Sequence, residues 1–539
     1  GSGYDLEGSM ADPRVTVKPE NSSLPNISHL KKDIRRIYND TNMKLNDMLF
    51  LQMDAWVAGQ VSGYDPREGK GRSIHSSSAS AVFPFVYTYT ADRGGINLGR
   101  KNNIPVFIDF FRRDNERVNS NMAIIGKSGS GKSYATKTLL TNLAAENSKI
   151  FVLDPENEYL ELAQNLGGKV INVGNATHGR MNPFQIITNL EDDEEGEQQA
   201  SGVSFHQHLQ FLEEFFKQIL PDIEPDALEY LNNLIIRIYN MKGIEEHTDL
   251  SRLSPEDYPI FDDLYDAILE EFQSTKSDYL RSNLQILINY IAKFSSGGRN
   301  SVLWNGYSSI DTRENFIVFN FQSLLANRNN LIANAQMLLV LKWLDNEIIK
   351  NRDYNKKYHA SRKIVVVIDE AHVFIDTKYP LALDFMFQLA KRIRKYNGMQ
   401  IVITQNIKDF VGSEEIARKS TAIINACQYS LIFALAPNDM HDLCRLYEKA
   451  GQINEQEQEE IINAARGQAF VITSPTNRSS LQVEANRNVQ SLFGDSEFVS
   501  PYFSGEEGEA RWREILEELD RKREAEELEQ LREMLEQEA

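Results

Sequence analysis

From about residue 103 the chain switches between two hydrophobic rhythms. Short apolar runs bounded by polar turns, "NIPVFIDFF", "NMAIIG", "SKIFVLD", "KVINVG", "FIVFNF", "KIVVVID" and "MQIVITQN", have the length and β-branched content of buried strands. Between them, "SYATKTLLTNLAAE" and "LIANAQMLLVLKWLDNEIIK" repeat apolar positions at helical spacing. Strand and helix in alternation predict an α/β fold with a doubly wound, mostly parallel sheet. Residues 205–295 break that alternation with "FHQHLQFLEEFFKQIL", "PDALEYLNNLIIRIYNMKG", "IFDDLYDAILEEF" and "YLRSNLQILINYIA", all of helical period. They predict an all-α subdomain inserted between two parts of the sheet domain, residues 81–204 and 296–490.

The flanks read differently. Residues 10–80 hold one amphipathic stretch, "LKKDIRRIYNDTNMKLNDMLFLQMDAW", followed by a linker-like "GKGRSIHSSSAS", as in the remnant of a larger N-terminal region. The first nine residues, "GSGYDLEGS", look like an expression scar. Residues 491–539 end in "RWREILEELDRKREAEELEQLREMLEQEA", a charged helix with Leu519 and Leu528 out of step. That break predicts docking at one or two spots, not a long coiled coil.

Charge and cysteines narrow the class. The 78 acidic residues outnumber 58 basic ones, a net charge of −20, which argues against broad, non-specific nucleic-acid affinity and leaves DNA a weak candidate partner. Two cysteines, Cys427 and Cys444, make no disulfide framework and no metal-ligand spacing; a reducing compartment is expected. No secretory signal and no apolar run of membrane-spanning length is visible.

The chemistry begins at "IIGKSGSGKS". Gly126, Lys127, Ser128, Gly129, Ser130, Gly131, Lys132 and Ser133 fit G-x-x-x-x-G-K-[ST], and Tyr134 comes next in the helix. In such a loop successive backbone N–H groups turn toward the phosphates, the lysine reaches the β and γ oxygens, and the hydroxyl binds magnesium. ATP and Mg2+ are the cofactors implied. The apolar strand "KIVVVI" then delivers Asp369 and Glu370 to the edge where parallel sheets bind ligands. Asp369 is expected to position the metal and Glu370 to activate the attacking water.

"MQIVITQ" ends in Gln405, either a sensor of the γ-phosphate or lytic water, or a surface amide closing a strand. "KRIRKYNG" carries Arg392, Arg394 and Lys395, which either cap a helix C-terminus or reach a neighbouring subunit's nucleotide.

The order "GKSGSGKS", "DPENEY", "MNPF" (Met181 to Phe184), helical insertion, "LWNG" (Leu303 to Gly306), "VVVIDEAH", "RKYNG" and "TQ" resembles the C-terminal ATPase half of the VirB-four kind of conjugative type IV secretion ATPase. The resemblance runs roughly from Asn103 to Pro475. Several of its motifs are shared with the RecA-like motors of the HerA and FtsK group. It implies a RecA-like motor, working as a ring, expected to be a hexamer, at the cytoplasmic face of the cell membrane. Its partners would be further copies of itself, other secretion-channel components and a coupling protein, with membrane contact peripheral or through a missing N-terminal domain. By match of motif, Lys132 and Ser133 take the phosphate-loop roles, Asp369 and Glu370 the metal and base roles, Gln405 the sensing role, and Arg394 falls at a basic pair. Glu158 of "DPENEY" either supports the metal or water shell or is a plain turn acid. Two rival functions remain open on the sequence: a HerA- or FtsK-like DNA translocase or coupling protein, and a nucleotide-gated assembly scaffold.

Overall fold

The computed structural model describes residues 91–174, 179–187, 197–310, 312–326, 330–375, 379–448 and 450–494, with the short stretches 4–7, 16–19, 31–32, 34–35, 50–58 and residue 521. The chain divides into two units, Gly1–Tyr89 and Thr90–Ala539. In the first, β1 (Tyr4–Glu7) pairs antiparallel with β2 (Thr16–Pro19), and Gln52–Ala58 forms a helix inside the stretch read as amphipathic. Part of the expected expression scar thus takes part in a strand pair. The expected linker and, beyond Gly494, nearly all of the expected C-terminal helix lie outside the described residues.

The second unit is organised on one 11-stranded sheet. Its strands are β3 (Ile96–Lys101), β4 (Ile104–Ile108), β5 (Met122–Ile125), β6 (Lys149–Asp154), β7 (Lys169–Asn172), β8 (Phe316–Asn320), β9 (Ile364–Ile368), β10 (Gly398–Thr404), β11 (Tyr429–Ile432), β12 (Gln468–Ile472) and β13 (Arg478–Val483). They lie in the order β4-β3-β13-β12-β11-β5-β10-β9-β6-β8-β7. Every neighbouring pair from β11 through β7 is parallel. The α/β, mostly parallel, RecA-like expectation holds. The antiparallel extension β12, β13, β3 and β4 closes the other side. The strands expected from the sequence do not include β3, β11, β12 or β13, although β11 and β12 are themselves apolar runs. β13, "RSSLQV", buries only two of its six residues, so it carries little of the signal that marks a central strand.

Continuous apolar runs are what a sheet covered on both faces requires. Within β9, Ile364, Val366 and Ile368 enter one core while Val365 and Val367 enter the other; β5 and β6 divide the same way. The second core is filled by Ala135, Leu139, Leu140 and Leu143 of the helix Lys132–Ala145. The first takes the long helix Asn330–Lys357 and the helix Pro380–Arg392.

The four expected helices of the insertion are present as Glu197–Ile219, Pro225–Met241, Phe261–Ser274 and Asp278–Ile291. Among the described residues, their buried side chains belong to the first core, shared with the sheet. The "MNPF" and "LWNG" motifs fasten them there. Asn182 Nδ2 donates to Pro259 O at 2.7 Å, and the Phe184 ring meets Phe261 edge-on at 5.1 Å. Trp304 is fully buried against Phe215 (4.9 Å), and its Nε1–H donates to Gln336 Oε1 at 2.6 Å. Gln336 Nε2 in turn donates to Val173 O just past β7. These two motifs therefore serve packing.

His208 lies in the same joint, its Nε2 3.1 Å from Pro183 O. Complete burial, with Lys342 adding to it, depresses its pKa from 6.5 to about 3. The unfolded chain then binds a proton that the folded one refuses between these values, so His208 makes stability fall as pH drops below about 6.5. At pH 5 the cost is about 2 kcal/mol. Urea unfolding at pH 7 and pH 5 should show that loss, and His208→Gln should shrink it.

Candidate active site

Four neighbouring parallel strands, β5, β10, β9 and β6, end at one edge of the sheet. Their ends are terraced. Ile125 pairs with Thr404, but Ile368 pairs with Val402 on one side and Leu153 on the other. β5 and β10 therefore run two residues, about 7 Å, past the end of β9 and one residue past the end of β6. Gly126 and Gln405 come directly after the tall strands; Asp369 and Asp154 sit level with each other in a recess beside them.

On the tall side, the phosphate loop is fixed by its backbone. Gly126 N–H donates to Thr404 O (3.3 Å) and Lys127 N–H to Ala434 O (3.0 Å), which ties the loop to the strand ends on both sides of β5. Gly129 and Gly131 have φ of 72° and 111°, a region that favours glycine. Ser130 O accepts from Gly467 N–H at 2.8 Å, so the turn before β12 backs the loop. Lys132 is buried, and its Nζ donates to Lys127 O at 3.2 Å. The Tyr134 ring turns away: its hydroxyl accepts from Ala485 N–H and Gln490 Nε2, and the ring meets Phe493 edge-on. Only its backbone is left to face a nucleotide.

In the recess, the Asp154 carboxylate organises "DPENEY" by accepting from Glu156 N–H (3.1 Å) and Tyr159 N–H (3.0 Å). This turn presents Glu158, whose Oε2 accepts from Ser133 Oγ at 2.8 Å. Glu158 is thereby brought to the phosphate-loop serine. Asp369 is 3% exposed. Burial first, then the Glu158, Glu370 and Asp154 charges, push its pKa well above the usual carboxylate range. Burial lowers the Lys132 pKa, against the pull of Glu370, Asp369, Glu158 and Glu156. One buried lysine thus faces several carboxylates in a setting of reduced dielectric, an excess of negative charge that a cation would relieve.

A serine hydroxyl bonded to Glu158, with buried Asp369 in electrostatic reach of the same glutamate, suits magnesium, which takes one or two protein oxygens and fills its remaining positions with phosphate and water. Among the described residues no group of three or more His, Cys, Asp or Glu is placed to hold a metal by itself.

Gln405 stands half-buried at the tip of β10, between the phosphate-loop strand and the Asp369 strand. Arg394 is not brought to this site. It lies exposed in the turn Ile393–Tyr396, before β10 begins, and hence a strand length of about 20 Å from Gln405 at the other sheet edge. Arg392 there pairs with Asp345 at 2.9 Å. The residue motifs passed over Gly467, which has no motif of its own, and His372, which was visible only as the last letter of "DEAH".

The fold and this edge define a P-loop nucleoside-triphosphatase domain of the RecA-like class. The chain belongs to the TraG P-loop domain family, which matches residues 95–462. Protein TraC of Escherichia coli K12 is 23% identical over 383 residues, 70% of this chain but only 39% of TraC. The probable DNA double-strand break repair helicase HerA of Methanocaldococcus jannaschii is 23% identical over 385 residues, 66% of this chain and 70% of that protein. The solved structure of VirB4 of Thermoanaerobacter pseudethanolicus is 28% identical, with a TM-score of 0.61, and the match covers 75% of this chain and all of that one. The resemblance read from the motif order is thereby borne out. Among the described residues no helix is long and apolar enough to cross a membrane.

A Cβ on Gly131 would stand 3.0 Å from Gly467 Cα and 3.1 Å from Gly467 N at a strained φ. Gly131→Ala should cost about 1–3 kcal/mol of stability and weaken nucleotide binding; denaturant unfolding and nucleotide titration read the two effects.

Proposed function

We propose that this chain is the ATPase motor of a conjugative type IV secretion system, hydrolysing ATP to energise substrate transfer and assembly of the channel or pilus. The observation that carries the reading is the terraced edge, where a phosphate loop, a buried lysine and two acids of different setting converge in a family that includes secretion ATPases. Ser133 and Asp369 would hold magnesium, which when bound neutralises charge on the β and γ phosphate oxygens. Lys132 draws the same oxygens with a buried point charge. Glu370 accepts a proton from the attacking water, and Gln405, at the strand tip, orients that water or the γ-phosphate.

Arg394 acts from a neighbouring subunit. Strand polarity puts it on the edge away from its own nucleotide, so a catalytic role requires a ring in which that edge of one copy meets the phosphate loop of the next. A hexamer suits such a head-to-tail contact. Other channel components and a coupling protein are the remaining partners, and the membrane is reached through them or through segments outside this ATPase unit. The likeness to HerA keeps DNA translocation as the second reading.

Lys132→Ala should lose ATP binding, whereas Glu370→Gln should bind ATP and lose turnover; normal turnover by Glu370→Gln would remove the base assignment. Arg394→Ala should keep ATP binding and fall roughly a thousandfold in rate. Mixing it with Glu370→Gln should restore part of the activity, because some mixed interfaces regain both groups. No recovery at any ratio, with rings present, contradicts a role in trans.

A further inference from the structure

Glu370 is held in an unusual way. Its φ of 41° and ψ of 52° lie in the left-handed region, which residues with a Cβ rarely occupy and which clusters at functional sites. The conformation fixes where Cβ points. It leaves the carboxylate free to rotate, and a general base has to be held in both respects.

The second constraint stands two residues on. His372 Nδ1 is 3.1 Å from Glu370 Oε2. Both atoms are closed off from solvent, yet their alignment is too poor for a hydrogen bond, and neither finds another partner among the described residues. A buried donor and acceptor left side by side and unmet are costly, so the arrangement favours a nearby state in which they join. Catalytic hydrogen bonds are often out of line before substrate arrives and tighten when it binds.

The imidazole is well mounted for this. It rides on the single turn Ala371–Val373, closed by Val373 N–H to Glu370 O (2.8 Å) and by Phe374 N–H to Ala371 O (3.0 Å). The Phe374 ring is pinned edge-on to Phe321 at 5.3 Å. Across the recess, from the turn after β6, Glu156 feels both groups: burial and then Glu370 raise its pKa, with Glu158 adding to them, and His372 opposes. The ring therefore lies within electrostatic reach of carboxylates from two elements.

We infer that His372 is a positioning residue for the general base: its Nδ1–H donates to Glu370 Oε2 in the nucleotide-bound site and fixes the carboxylate toward the attacking water. The inference rests on the assignment of Glu370 as base.

The test compares steady-state ATPase and ATP affinity of the full chain with those of His372→Ala, His372→Asn and His372→Phe, beside Glu370→Gln. His372→Ala should lower kcat by about 10- to 100-fold, the scale of a misplaced catalytic group, with ATP affinity and KM unchanged within about twofold. His372→Asn, whose amide still donates, should recover most of the rate. His372→Phe keeps a ring and removes both nitrogens; it should behave as alanine does, and it decides the question if the alanine variant fails to fold. Wild-type kcat in the folded alanine or phenylalanine variant, an asparagine variant as slow as alanine, or parallel loss of kcat and affinity each overturns the role. If Glu370→Gln is inactive while His372→Ala turns over normally, only the His372 inference falls. If Glu370→Gln itself turns over normally, the base assignment falls first.

Discussion

The register of four parallel strands is the constraint on which the site depends. Because Ile368 pairs with Val402 and Leu153 while Ile125 pairs with Thr404, the acids sit one terrace below the phosphate loop. A slip of one residue would exchange the core-facing sets on both faces of the sheet. The two apolar cores that alternate along β5, β6 and β9 therefore fix the height of the candidate site groups as well as the fold.

That height sets the electrostatics. In the recess Asp369 is shut from water and crowded by Glu158, Glu370 and Asp154. On the proposed reading, a bound cation would relieve that crowding, which suits the recess to a metal–nucleotide complex. Ser133, already hydrogen-bonded to Glu158, joins loop and recess into one unit.

The fold class was legible in the sequence because central strands buried on both faces read as unbroken apolar runs, and because the phosphate loop and Asp369–Glu370 are contiguous motifs. Other features depend on pairing between distant segments. β13 has four polar residues in six, so little local pattern marks it, whereas β11 and β12 are apolar runs with no chemical motif beside them. The support of Ser130 by Gly467 joins residues far apart in the chain and is visible only once β12 is placed. His372 approaches Glu370 because the left-handed turn folds the chain back on itself, a conformation that residue identity did not announce. The position of Arg394, by contrast, comes from strand polarity alone: residues entering β10 and residues leaving it must lie at opposite edges of the sheet.

This polarity makes the site incomplete within one chain if Arg394 is catalytic, so activity should depend on assembly and not on a nucleic-acid track. The net charge of −20 points the same way, since gripping DNA needs a basic footprint and gives a steep salt dependence. The direct measurement is steady-state ATPase at low salt over a range of protein concentrations, with and without single- and double-stranded DNA. Specific activity should rise with protein concentration and change little on adding DNA. Strong stimulation by DNA at fixed protein concentration, lost as salt rises, would contradict the secretion-motor reading and favour a translocase.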